Sequence, residues 1–121
     1  MREIKFCGRR IDNKQWVYGY YHFDASWGYG THYITLKENL DMHKVDPETV
    51  GQYTGLPDEN GKDIYEKNRF QHEKDIGTVV FRNGMYCVEW DAPSTWGKET
   101  LLWKLHDGGR IIPENPDLLE A

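Results

Sequence analysis

Ile76-Gly77-Thr78-Val79-Val80-Phe81-Arg82-Asn83-Gly84-Met85-Tyr86-Cys87-Val88-Glu89-Trp90 is the stretch whose reading decides the fold. Two arms rich in Ile, Val, Thr, Phe, Tyr and Trp flank a two-residue Asn83-Gly84 loop. Branched and aromatic side chains suit a pleated, half-buried surface. Asn and Gly tolerate the positive φ that both central positions of a type I′ turn require, and that turn matches the twist of the strands it joins. The stretch predicts an antiparallel hairpin. Because side chains alternate between faces with a period of two, Tyr86, Val88 and Trp90 fall on one side.

The segment upstream has a similar plan. Val50-Gly51-Gln52-Tyr53-Thr54-Gly55-Leu56 is an apolar-aromatic approach, Asn60-Gly61 lies in a polar turn, and Ile64-Tyr65 begins a second apolar run. Asn60-Gly61 predicts another type I′ hairpin. Residues 63–66 and 68–72 then either pair or continue. Nearer the N-terminus, residues 3–7 alternate, which places Ile4 and Phe6 on one face of a short strand that Gly8 ends. Residues 15–23 read as a second strand, where Gly19 signals a bulge or a close backbone approach. Residues 24–30 form a glycine-punctuated loop carrying Trp27 and Tyr29, and residues 31–36 a third strand. Residues 37–44 read as a loop or a weak helical turn. Residues 45–53 read as extended, since Pro47 disfavours the α region at Asp46.

Downstream, residues 91–97 are turn material containing Trp96. Leu101, Trp103 and Leu105 alternate with Thr100, Leu102 and Lys104, so residues 99–106 predict a strand. Asp107-Gly108-Gly109 is a turn signal, and Asn115, Pro116 and Asp117 suit the start of about one helical turn. The expected fold class is mainly β: a small antiparallel, partly open β-barrel-like domain with long loops and at most short helical turns. Residues 1–121 read as a single domain.

Composition bounds the function classes. The mean hydropathy of −0.82 would suit a disordered chain, but aromatics make up 14% of the residues, with five Trp and eight Tyr. Disordered chains are poor in such rings, and large rings bury much area each. A net charge of −5 argues against a general nucleic-acid-coating protein. Arg2, Lys5, Arg9 and Arg10 nevertheless crowd one end, while Glu114, Asp117 and Glu120 make the other acidic. Cys7 and Cys87, each in an apolar-aromatic context, read as small buried hydrophobes and not as a disulfide framework. With no signal-like segment and no run of membrane-spanning length, the expected location is the cytoplasm of a host bacterial cell, with no membrane partner.

No residue pattern announces catalysis. The five histidines show no short metal-ligand spacing, and there is no Cys-x-x-Cys. Asp58, Glu59, Asp63 and Glu66 lack the spacing of a calcium loop and read as a hairpin tip kept soluble by charge. Neither Ser26 nor Ser94 sits in a nucleophile elbow, and Gly28-Tyr29-Gly30 precedes a strand where a phosphate loop would precede a helix. Neither an enzyme nor a bound cofactor or metal is expected.

Val50-Gly51-Gln52-Tyr53-Thr54-Gly55-Leu56, Asp58, Asn60-Gly61-Lys62 and Ile64-Tyr65-Glu66 together resemble the signature of the YopX family of phage and prophage proteins. Ile4-Lys5-Phe6 with Gly8, Trp16-Val17-Tyr18-Gly19, Pro47-Glu48-Thr49-Val50 and Glu114-Asn115-Pro116-Asp117-Leu118-Leu119 extend it over nearly the whole chain. The resemblance implies an all-β core with a barrel-like part, carriage by mobile elements of Gram-positive bacteria, and no settled biochemical activity or agreed functional residues. Two departures stand out. The family usually follows Tyr-Glu with Gly-Asp, where this chain has Lys67-Asn68, and an Arg common after the first Phe is here Cys7.

The functional expectation is a non-enzymatic phage or prophage β domain that binds a protein, of phage or host, through the loop aromatics Trp27, Tyr29 and Trp96. Exposed aromatics of this kind serve as hot spots for protein partners or as stacking platforms for bases. The acidic neighbours Asp24, Asp91 and Glu99 weaken attraction to phosphate, which favours protein over nucleic acid. The alternative is a single-stranded nucleic-acid binder using Arg2, Lys5, Arg9 and Arg10 beside aromatic residues. A small hydrolase or nuclease is the third reading, and self-association through unpaired strand edges is open to this fold class.

Overall fold

The computed structural model describes residues 3–25, 30–94 and 97–112. The strands in chain order are β1 (Phe6–Arg10), β2 (Trp16–Asp24), β3 (Thr31–Leu36), β4 (Met42–Pro57), β5 (Asp63–Tyr65), β6 (Arg69–His72), β7 (Asp75–Arg82), β8 (Met85–Trp90), β9 (Glu99–Leu101) and β10 (Arg110–Ile112). They form two five-stranded sheets, one ordered β1-β2-β3-β4-β5 and the other β10-β6-β7-β8-β9. In the first, β1 also pairs with β4, so these four strands close into a ring and the sheet is partly ring-closed. The fold is mainly β and antiparallel, as expected, and helical structure among the described residues is limited to short 3₁₀ turns. The expected helical turn at 114–119 lies outside the described residues. By contact the chain divides into two compact units, Met1–Tyr53 and Thr54–Ala121, with β4 running from one into the other.

In the first unit the second and third strands fall where their β-formers place them. Gly19 meets the close-approach expectation: a Cβ there would lie 2.1 Å from the carbonyl oxygen of Thr35 on β3. Gly8 corrects an expectation. It does not end β1 but lies inside the strand, because a Cβ at that point would come within 3.1 Å of the Val45 side chain. The glycine marks tight packing there. The strand also starts later than the alternation suggested: Ile4 precedes it and is 62% exposed, so it shares no buried face with Phe6. The loop or helical turn expected at residues 37–44 is a turn only as far as residue 41, with Leu40 N–H donating to the Leu36 carbonyl; residues 42–44 already belong to β4. Cys7, Ile34 and Val45 are the buried apolar side chains of this unit.

The second unit is built on the β7–β8 hairpin. Arg82 faces Met85 across the turn, and Asn83 and Gly84 take φ of 53° and 80°, the two positive values of a type I′ turn. Tyr86, Val88 and Trp90 do share a face: Val88 and Trp90 belong to the core with Ile64, Phe70, Val79, Leu102 and Leu105, and Tyr86 packs against it.

Two expectations fail in this unit. Asn60-Gly61 does turn the chain between β4 and β5, but only Gly61 has positive φ, so the turn is not type I′. The Asp58 side chain reorganises it, accepting the backbone N–H groups of both Asn60 (2.8 Å) and Lys62 (2.9 Å). Residues 99–106 are a strand only to Leu101. A 3₁₀ turn over Leu102–Lys104 follows, which buries Leu102 and Leu105 and leaves Trp103 63% exposed. Spacing of three, not two, decides burial there, because side chains three apart overlie one another in a 3₁₀ turn.

Candidate aromatic binding face

Trp27, Tyr29, Trp96 and Arg2 lie outside the described residues. The remaining basic residues singled out in the sequence are each engaged. Lys5 pairs with Glu3 at 3.3 Å and stands 4.6 Å over the Tyr53 ring. Arg9 donates from Nε to the Lys14 carbonyl, and Arg10 makes a two-point contact with Asp12 at 2.9 and 2.6 Å. The Arg10 guanidinium holds the Asp12 carboxyl below its ordinary range. Lys37 hydrogen-bonds Glu3, which lowers the Glu3 carboxyl and raises the Lys37 ammonium.

What the ring-closed sheet does bring together is a column of aromatic rings. Trp16, Tyr18, Tyr20 and His22 occupy alternate positions of β2 and so point to the same face. Tyr18 and Tyr20 are 50% and 48% exposed, and His22 is exposed. Directly opposed residues of antiparallel strands also share a face. Register therefore extends this one through Tyr20–Thr35–Met42 and His22–Tyr33–Lys44 across β2, β3 and β4, and adds Arg9 opposite Trp16. The His22 and Tyr33 rings stack at 5.1 Å. Desolvation, and then Cys7 across the pair, push the Tyr18 phenol above its usual range.

The opposite face of β2 carries Tyr21 and Phe23. The Tyr21 hydroxyl and His32 Nδ1 share a 2.6 Å hydrogen bond, with Phe23 4.8 Å from the imidazole and Phe6 5.6 Å from the Tyr21 ring. The exterior column was present in the sequence as rings at 16, 18, 20 and 22, but alternation cannot say which of two faces solvent reaches.

At one margin of the exterior face lies a groove of about 310 Å3, lined by Arg10, Ile11, Asp12, Met42, His43 and Lys44. It forms where the β1–β2 turn meets the start of β4, held by Ile11 N–H donating to the Lys44 carbonyl at 3.2 Å. Ile11 and Met42 are both more than half exposed.

Cys7 and Cys87 are buried and form no disulfide, and desolvation raises the Cys87 thiol, which disfavours the thiolate a nucleophile needs. No group of three or more His, Cys, Asp or Glu is placed to hold a metal ion among the described residues. No helix among them is long and apolar enough to cross a membrane.

A family model described as YopX protein matches residues 8–120, nearly the whole chain. The chain belongs to the YopX family. Membership supports a phage-type protein. No curated protein matches it. The YopX departure at Lys67-Asn68 has a structural reading. Lys67 holds a φ of 77°, the left-handed conformation that a glycine adopts at no steric cost. Asn68 Oδ1 accepts the Tyr65 N–H at 2.7 Å, which a carboxylate would do equally well. This YopX chain therefore keeps the turn while losing the residue best suited to its backbone.

Proposed function

We propose that this YopX-family chain is a phage- or prophage-carried, non-enzymatic protein-interaction module, and that it engages its partner through the aromatic exterior face of β2. The observation that carries this reading is the column Trp16, Tyr18, Tyr20 and His22 on one strand, with Tyr18, Tyr20 and His22 exposed, Trp16 partly buried, and Tyr33 beside them. Tyr and Trp supply large contact area at small entropy cost, and with Arg they dominate protein hot spots. The charge around them is mixed: Lys5 and Lys37 meet Glu3, and Arg9 lies opposite Asp46. Such a balance suits a protein surface better than a polyphosphate. Tyr18→Thr with Tyr20→Thr should keep the fold, by circular dichroism, and lose a tagged-protein interaction that the exposed control Trp103→Ser retains. Retention by the double variant would remove the reading.

The second reading, a single-stranded nucleic-acid platform, draws support from Lys44, which stands in the cross-strand row of His22 and Tyr33. It requires affinity for an oligothymidylate that falls steeply with salt. A flat salt series, or no binding, would exclude it.

A further inference from the structure

We propose that the groove between the β1–β2 turn and the start of β4 receives a short acidic segment of the protein partner, with an apolar side chain seated between Ile11 and Met42 and carboxylates on Lys44 and His43. This rests on the reading of the adjoining aromatic face as a protein-binding surface.

Three observations lead to that chemistry. The groove has a definite volume, about 310 Å3, enough for one side chain and the backbone that carries it. Its two apolar walls, Ile11 and Met42, are both more than half exposed and line the same groove, so apolar surface is available there to a ligand side chain. Its uncompensated charge is Lys44, since Arg10 and Asp12 offset each other. Arg10, His43 and Lys44 supply nitrogen donors, while the one carboxylate, Asp12, is already held by Arg10 through both oxygens. Among the described residues the Lys44 ammonium forms no ion pair, so the groove presents a cation with nothing opposite it. A segment complementary to such a surface is apolar at its centre and acidic at its flanks.

The groove is continuous with the face. Met42 stands in the cross-strand row of Tyr20 and Thr35, and Lys44 in that of His22 and Tyr33. Two residues of the groove lining, Met42 and Lys44, therefore belong to the same cross-strand rows as the rings.

The test uses the full chain and a fluorescein-labelled peptide, acetyl-Glu-Glu-Leu-Leu-Glu-Asp-amide, read by fluorescence anisotropy. Two control peptides replace either the carboxylates by amides or the leucines by serine. Wild type should bind the acidic leucine peptide, and each control should bind about fivefold or more weakly, as should Lys44→Glu and Met42→Ser with the original peptide. Both variants alter exposed side chains, and unchanged circular dichroism would certify their fold. No binding by wild type, or binding indifferent to Lys44→Glu, overturns the groove assignment. If partner retention then still depends on Tyr18 and Tyr20, the aromatic-face reading stands without it. Preference for an oligothymidylate over the peptide, lost in Lys44→Glu, overturns both.

Discussion

Asp58 and Ile111, 53 residues apart, are joined by a 3.0 Å hydrogen bond in which the Ile111 backbone N–H donates to the Asp58 carboxylate. The same side chain, buried at the β4–β5 turn, also accepts the Asn60 and Lys62 N–H groups, and Glu59 N–H donates to the Gly109 carbonyl beside it. One carboxylate thus organises a turn and tethers the edge strand β10. Asp58→Ala would leave three backbone donors without that acceptor. Hydrogen bonds to charged groups and orphaned donors together put the loss at about 3 kcal/mol. Urea denaturation should show it, and a loss below about 1 kcal/mol would mean that the three bonds are dispensable.

Gly84 isolates backbone strain from packing. Nothing lies within 4 Å of a Cβ built there, yet its φ is 80°. Gly84→Val should therefore cost about 1–2 kcal/mol, a few degrees in Tm, through conformation alone. An unmoved melting temperature would show that the turn accommodates a branched residue by changing type.

Lys67 offers the converse. Its side chain is exposed and its φ is 77°. Lys67→Gly relieves a left-handed strain of about 1–2 kcal/mol, partly offset by the greater freedom of glycine in the unfolded chain. A net gain of about 0.5–1 kcal/mol is expected in thermal or urea unfolding. A loss would mean that contacts of the Lys67 side chain outweigh the strain.

Acid stability should register the Arg69–Asp91 pair. Arg69 donates from Nη1 to Asp91 Oδ1 at 3.2 Å and from Nη2 to Oδ2, and holds the Asp91 carboxyl below its ordinary 3.8. A depressed folded-state value means the pair stabilises fully above about pH 4 and less as pH falls through that lower value. Asp91 is 54% exposed, so solvent screening limits the effect to below about 1 kcal/mol. The stability difference between wild type and Asp91→Asn should be constant from about pH 5 to 7 and close on acidification. A difference that persists unchanged at about pH 2 would exclude this ion pair as its cause.

Local chemistry made much of the fold legible. Asn83-Gly84 could be read because the turn depends on two residues' own φ preferences, and Gly19 because a bare Cα in a run of large β-formers has few other uses. Residues 99–106 could not be read so. Leu101, Trp103 and Leu105 alternate, but the core of the second unit accepts Leu102 and Leu105, and that selection overrides the pattern. The candidate site was half legible. The rings at 16, 18, 20 and 22 were visible as a strand, while their exposure depends on which face of β2 the closed ring turns inward.

The sequence by itself determined the β class, the positions of the second and third strands, the type I′ hairpin and membership of the YopX family. Each of these follows from backbone preferences and side-chain periodicity within a few residues, or from motifs in a matching order. Only the tertiary structure decided that Gly8 lies under Val45, that Asp58 tethers β10, that Trp103 faces solvent, and that an aromatic column borders the groove between the β1–β2 turn and β4. The first three, and the meeting of the aromatic column with the groove, depend on which distant segment packs against a given face, and no local preference encodes that.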